Sequence, residues 1–263
     1  MDRLFDIILL LQRQFNTRVK SRLLIHVMIV EDIIMNIIKM KKKTTITALV
    51  FTLNEADNLP YILPDIPDWV DEILLIDGHS TDNTVKIAKE LCPRIRIEYQ
   101  PGKGKGDAMK YGFKEAKGEI LVTLDADGAT DPKEMERFIL PLLEGYDFAK
   151  GTRLKVRSEW RGRWHRYLAN KSFVVITNLL YGSNFSDLCA GYNAFWKRSI
   201  ERLQFSENGY ENEPLMYIRA IKAGLKITEV SFRDNGRFFG STKEDSLRQG
   251  WLTIKTIFRE KFY

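Results

Sequence analysis

Two carboxylates, Asp125 and Asp127, stand one residue apart at the end of the run Ile120-Leu121-Val122-Thr123-Leu124. Placed that close, they repel each other unless something positive sits between them. A hard divalent cation with oxygen ligands, Mg2+ or Mn2+, does that and usually shares its shell with substrate phosphates. The same residues also suit a solvated turn punctuated by Asp127-Gly128, so the short motif takes its meaning from its surroundings. Other polar groups recur in order along the chain. They are Asn54-Glu55, Asp77 with Ser80-Thr81-Asp82, the basic glycine loop Gly102-Lys103-Gly104-Lys105-Gly106, Gly151-Thr152-Arg153, Asp187 to Tyr192, and Arg237 to Lys243.

The elements between these groups have to present them together. Thr45 to Leu53, Ile73 to Ile76, Ile95 to Tyr99, Ile120 to Leu124, Phe148 to Lys150 and Ile227 to Val230 are short, β-branched and apolar, and read as strands. Asn54 to Asn58 would cap a short helix, and Thr84–Leu91, Asp107–Ala116, Pro132–Leu143 and Glu211–Ala223 read as helices. Val156 to Tyr181 reads as a loop followed by a long helix, its start rich in Arg and Trp: Arg157, Trp160, Arg161, Arg163, Trp164, Arg166. Strand and helix alternate, which implies a parallel sheet covered on both faces. The polar groups fall at strand C-termini, the edge at which open α/β sheets bind ligands.

Composition adds limits. The 263 residues are 44% hydrophobic and 29% charged, ordinary for one large globular domain or two small ones. Of the +6 net charge most lies in residues 1–43, with nine Lys or Arg against four Asp or Glu; the rest is nearly neutral and offers no nucleic-acid groove. Residues 1–43 alternate apolar and basic blocks and suit amphipathic helices. These lie in a membrane interface, or pack on a domain or partner, or form an upstream extension before a natural start at Met40-Lys41-Lys42-Lys43. Acids at Asp2 and Asp6 argue against a signal peptide, and no uncharged apolar run of spanning length is present. Cys92 and Cys189 lie far apart, without metal-ligand spacing, and are expected to be reduced in a cytoplasmic protein. Leu247, Trp251, Ile254 and Phe258 recur at helical spacing near Lys255, Arg259 and Lys261, a helix that docks on the core or touches a membrane.

Taken together and in order, these motifs resemble family 2 glycosyltransferases of GT-A fold, and most closely the polyprenyl-phosphate (dolichyl-phosphate) mannose and glucose synthases. The resemblance covers roughly residues 44–245. It implies an α/β fold with a mixed, mainly parallel sheet flanked by helices: a basic amphipathic extension at 1–43, a catalytic domain at 44–243, and an amphipathic helix at 244–263. It places Thr52, Asn54, Glu55 and Ala126 beside a nucleotide, Asp77 on its base, and Lys105, Arg237 and Lys243 near the donor diphosphate. Asp125 and Asp127 match the metal-holding pair, with Mg2+ or Mn2+ as cofactor. Arg153, Arg166 and Asn170 match the acceptor-phosphate site, and Asp187 an acid near the sugar. Asp127, Asp187, Arg153 and Arg166 would then carry the catalysis. The family often has two acids after its second strand; here Asp77-Gly78-His79 has one, which leaves UDP or GDP open.

The implied reaction moves a hexose from a nucleotide-diphosphate sugar to a polyprenyl phosphate, with inversion, on the cytoplasmic face of a membrane. A phosphate acceptor with a second pKa near ~6 is already anionic and hardly needs a base. A sugar hydroxyl would need one, with Asp187, Glu211 or Glu213 as candidates. Three alternatives stand beside it: a family 2 enzyme acting on a sugar hydroxyl, a nucleotidyltransferase, and a non-catalytic membrane-associated binding module. The second would show a Gly-rich, Arg- or Lys-bearing loop straight after the first strand, and here that place holds Asn54-Glu55-Ala56-Asp57.

Overall fold

The computed structural model describes residues 44–153, 164–205, 207–240 and 246–262, without the side chains of 164–166 and 246–247. The amphipathic segment expected at 1–43 therefore lies outside the described residues, as do Lys243 and the side chain of Arg166.

Seven strands form one sheet: β1 Ile46–Thr52, β2 Glu72–Asp77, β3 Arg96–Tyr99, β4 Ile120–Asp125, β5 Phe148–Thr152, β6 Asn193–Trp196 and β7 Ile227–Ser231. Their order is β3-β2-β1-β4-β6-β5-β7. β6 runs antiparallel to β4 and β5, and the other neighbours are parallel, so the sheet is mixed and mainly parallel as expected. The chain winds from β1 outward to β3, then returns to the other side of β1 as β4. The C-terminal ends of β1 and β4 thus flank a switch in strand order, where α/β sheets open a ligand crevice.

Side-chain alternation along β1 explains why both faces are covered. Ile46, Ala48 and Val50 join Leu59, Leu63, Met135 and Phe138 in one apolar cluster. Leu49 and Phe51 join Ala108, Met109, Phe113 and Tyr217 in the other. The helices that supply these partners are α1 Thr84–Leu91, α2 Lys105–Glu115, α3 Met135–Leu143, α4 Trp164–Tyr181, α5 Lys197–Ile200, α6 Asn212–Lys222 and α7 Ser246–Phe262.

Two local expectations are corrected. The short helix expected after Asn54–Asn58 is instead two 3-10 turns, Leu59–Tyr61 and Leu63–Asp65. Pro60 and Pro64 each deny an amide to a continuing α-helix. Pro132 opens a 3-10 turn, capped by Asp131 accepting from the Lys133 amide at 2.9 Å, and the α-helix begins only at Met135. The C-terminal helix docks on the body through Thr253, Thr256, Ile257 and Glu260, all buried.

Candidate active site

β1 and β2 pair in register Thr52 to Asp77, which brings the C-terminal ends of both strands to one edge. Asp77 is fully buried, and its carboxylate accepts from Thr52 Oγ1 at 3.1 Å, Ser80 Oγ at 2.6 Å and the Ser80 amide at 2.7 Å. It thereby shapes the loop after β2. Asn54 completes that loop from β1: its amide donates to Ser80 Oγ at 2.8 Å, and its Oδ1 accepts from the Thr81 amide at 2.7 Å. Asn54 does so at φ 52, a left-handed conformation that Asn tolerates better than most residues.

Glu55 is buried and takes a bidentate pair from Arg237, with Nη1 at 2.7 Å and Nη2 at 2.9 Å. The same guanidinium lies 3.6 Å from Asp127 Oδ2. The segment carrying Arg237 crosses the acid loop. The Phe238 amide donates to Asp127 O at 3.0 Å and the Asn235 amide to Ala129 O at 3.1 Å. Gly128, at φ 90, is required there because a Cβ would collide with the Phe238 ring.

β4 delivers Asp125, with Ala126 buried behind it and Asp127 beyond. Lys105, at the first turn of α2, reaches across to Asp125 Oδ1 at 2.7 Å and to Glu213 Oε1 at 2.6 Å. Burial and then the neighbouring Asp125 raise the Asp127 carboxyl above its ordinary value; the two acids disfavour each other's charge. Both remain about one-quarter exposed, at 27% and 25%. Among the described residues no group of three or more His, Cys, Asp or Glu side chains could hold a metal ion. Two carboxylates are too few for an all-protein shell, so a hard cation held by this pair would complete its shell with water or phosphate oxygens. Glycine places the acid: a Cβ at Gly191 would run into the Asp125 carboxylate.

A second cluster adjoins the first through that 187–192 loop. Arg153, the first residue after β5, makes a bidentate pair with Asp187, Nε to Oδ2 at 2.9 Å and Nη2 to Oδ1 at 3.1 Å. Asn170 of α4 donates to Asp187 Oδ1 at 2.8 Å and accepts from the Leu188 amide at 3.0 Å. Asp187 is fully buried; burial alone would raise its carboxyl, but the Arg153 guanidinium holds it well below the usual carboxylate range. So held, Asp187 is a poor proton acceptor and acts as the counter-ion that aims Arg153. Asp234 adds a further carboxylate 3.6 Å from Arg153 Nη1. The Cys189 thiol is pushed up to about 12 by burial and Asp187, which keeps it protonated; it and Cys92 are free.

The fold thus gathers Thr52, Asn54, Glu55, Asp77, Lys105, Asp125, Ala126, Asp127 and Arg237 around one sheet edge, and Arg153, Asp187 and Asn170 beside it. Of the hydroxyl-acceptor bases considered, Glu213 is tied to Lys105, and Glu211 accepts from Gln249 Nε2 at 3.1 Å. Gly191, Asn58, Asp234 and Lys150 take part as well; Gly191 and Asn58 lie in stretches the sequence marks, but no local signal announces the contacts any of the four makes. Asn58 brackets Phe239, accepting from its amide at 2.9 Å and donating to its carbonyl at 3.2 Å, a contact across 181 residues that no local spacing announces.

A family model described as glycosyl transferase family 2 matches residues 47–204. Among curated proteins, the chain is 29% identical to glycosyltransferase AglJ of Haloferax volcanii over 215 residues, 79% of this chain and 69% of that one. It is 30% identical to the polyprenol monophosphomannose synthase of Mycolicibacterium smegmatis over 206 residues, 73% and 78% of the two chains. It is 28% identical to a dolichyl-phosphate hexose transferase of Haloferax volcanii over 209 residues, 78% and 89%. Among solved structures, glucosyl-3-phosphoglycerate synthase from Mycobacterium tuberculosis, in complex with Mg2+ and UDP, superposes with a TM-score of 0.69. The superposition covers 84% of this chain and 80% of that one at 20% identity, a likeness of fold.

Proposed function

The chain belongs to glycosyl transferase family 2, and we propose that it is a metal-dependent, inverting hexosyltransferase that moves a sugar from a UDP- or GDP-sugar to a polyprenyl phosphate at a membrane surface. The observation that carries this reading is the bidentate Arg153–Asp187 pair with Asn170, set beside Asp125 through the 187–192 loop. A guanidinium oriented by a buried carboxylate is suited to a phosphate oxygen. Relatives named for polyprenol and dolichyl phosphate point to the same acceptor class. Arg166 is proposed to join it.

Asp125 and Asp127 would hold Mg2+ or Mn2+, and such an ion would supply charge stabilisation to a departing diphosphate. A solved neighbour was crystallised with Mn2+ and UDP. Lys105 and Arg237 would offset the charge of the diphosphate, with Lys243, outside the described residues, proposed to join them, while Thr52, Asn54, Glu55, Asp77 and Ala126 would shape the nucleotide berth. In the transfer, an acceptor phosphate oxygen forms a bond to the anomeric carbon as the bond from that carbon to the diphosphate oxygen breaks. The electron pair leaves on the nucleoside diphosphate. Arg153 orients the attacking anion, and no protein base is needed because that anion is ionised at neutral pH.

Contact with a membrane is supported by the outward face of α7. Arg248, Trp251, Lys255, Phe258, Lys261 and Phe262 are exposed there, and the helix's one acid, Glu260, is buried against Arg219. Basic and aromatic side chains on one face suit an anionic interface. Among the described residues no helix is long and apolar enough to cross a membrane; the association proposed is a peripheral one through α7, on the cytoplasmic face.

The test is a panel of radiolabelled UDP- and GDP-sugars with Mn2+ and polyprenyl phosphate in vesicles, scored for a lipid-extractable, acid-labile product. Product from one donor supports the assignment. Transfer only to a sugar hydroxyl, or metal-independent donor binding with no product, overturns it.

A further inference from the structure

Lys150 lies in the middle of β5, and its side chain is fully buried. Burying an ammonium there carries a desolvation cost that a Met or Leu filling the space would not, and its partners have to offset it. Its Nζ donates to Glu229 Oε1 at 3.3 Å and to the Gly151 carbonyl at 3.1 Å. It also sits over the rings of Tyr217 at 4.7 Å and Phe185 at 5.3 Å, which replace water around the ammonium. Lys150 and Glu229 are register partners across β5 and β7.

Glu229 in turn grips the loop that bears Asp187. Its Oε1 accepts from the Ser186 amide at 2.9 Å and its Oε2 from Ser186 Oγ at 2.6 Å. Thr152 Oγ1 meets the same hydroxyl at 2.6 Å. The next residue is Asp187, which holds Arg153, and Arg153 is three residues on from Lys150. The contacts close a ring: Lys150 to Glu229, to Ser186-Asp187, to Arg153, and back along β5.

We infer that Lys150 and Glu229 are positioning residues for the anion-binding guanidinium of Arg153: their buried ion pair fixes Ser186, and so the carboxylate that aims the arginine. Neither touches substrate. The inference rests on the acceptor-phosphate reading of Arg153. Burial drives the Lys150 ammonium below the ordinary lysine value, while Asp187 and Glu229 oppose that, so the lysine and the clamp share one electrostatic environment.

The experiment compares Lys150→Met and Glu229→Gln with the parent protein, using Mn2+, a UDP- or GDP-sugar and farnesyl phosphate. Glu229→Gln is nearly isosteric, removes the lysine's counter-charge and replaces one acceptor of the Ser186 clamp with a donor, so it tests the clamp even where a Lys150→Met chain does not fold. The expected result in both is an acceptor KM raised about tenfold, with donor KM and the rate of donor hydrolysis within about twofold. Unchanged acceptor KM in a folded variant overturns the inference, as does a parallel loss in donor and acceptor parameters with a lowered Tm, the mark of a merely structural pair. Parent protein that never transfers to farnesyl phosphate, or to any polyprenyl phosphate, overturns the acceptor reading and this inference with it. Transfer by the parent with unaltered variants overturns this inference alone.

Discussion

The ammonium of Lys105 sits 2.7 Å from Asp125 and 2.6 Å from Glu213, a positive charge on one of the two acids expected to hold a metal. Burial opposes that charge and the two carboxylates outweigh it, so the ammonium is held well above the ordinary lysine value. A cation arriving at Asp125 has to displace it. Lys105→Met is therefore expected to tighten Mn2+ binding to nucleotide-free protein by about tenfold, roughly 1.4 kcal/mol, and to raise the KM for the sugar nucleotide. Electron paramagnetic resonance of free Mn2+ reads the first effect and steady-state kinetics the second. Weaker Mn2+ binding would contradict it.

Removal of divalent ions with a chelator should abolish transfer, and Mg2+ or Mn2+ should restore it. Asp127→Asn should lower kcat by at least about a hundredfold, the scale on which lost transition-state charge stabilisation is felt. Circular dichroism should show an intact fold, since the Asp127 side chain is only partly covered.

Gly191→Ala separates site from scaffold. The backbone at Gly191 is not in the left-handed region, and the three atoms nearest the added methyl all belong to the Asp125 carboxyl group. The acid must swing away while the fold is retained. The expected outcome is Mn2+ affinity reduced about tenfold with stability changed by less than about 1 kcal/mol, measured by calorimetry and urea unfolding. Unfolded protein, or unaltered metal affinity, would refute this.

The Arg153–Asp187 pair makes a pH prediction. The folded protein holds the Asp187 carboxyl below its ordinary value, so the unfolded chain takes up the proton more readily. The stabilisation is present in full above about pH 4, the unfolded value, and is lost as pH falls below it. Asp187→Asn removes the principal counter-ion of the partly buried guanidinium, leaving Asp234 at 3.6 Å, and should cost about 3 kcal/mol at neutral pH, with less further loss on acidification than in the parent. Urea unfolding at pH 7 and pH 3 tests both. Arg153→Lys should not rescue acceptor transfer, because an ammonium cannot reproduce the two-pronged geometry.

On α7, Trp251→Glu with Phe258→Glu should abolish sedimentation with anionic vesicles and leave the Tm within a few degrees, because both side chains are exposed, at 66% and 42%. Raised salt should weaken the binding of the parent protein. Vesicle binding that survives the double substitution would move the contact elsewhere.

Much was legible in the residue order. Strands ending in acids, a glycine loop opening a helix, and spacing that repeats every few residues are local signals, set by backbone preferences and by the alternation of apolar side chains. They sufficed for the mainly parallel sheet and for its polar C-terminal edge, at which Asp125 and Asp127 stand. They misjudged Leu59–Asp65, where two prolines replaced an expected helix with 3-10 turns, again for a local reason.

What only the tertiary structure decided is which charges face each other. Glu55 and Arg237 are separated by 182 residues, Lys105 and Glu213 by 108, and Lys150 and Glu229 by 79. No periodicity links such positions. Asp187 read as an acid at the site, and burial beside Arg153 made it that arginine's anchor. Lys150 read as the polar end of a strand, and the antiparallel insertion of β6 between β4 and β5 closed the sheet in which it is buried. Sequence fixes the chemistry each side chain carries; packing fixes the dielectric and the partner, and those determine which charges are held inward and which are turned toward a substrate.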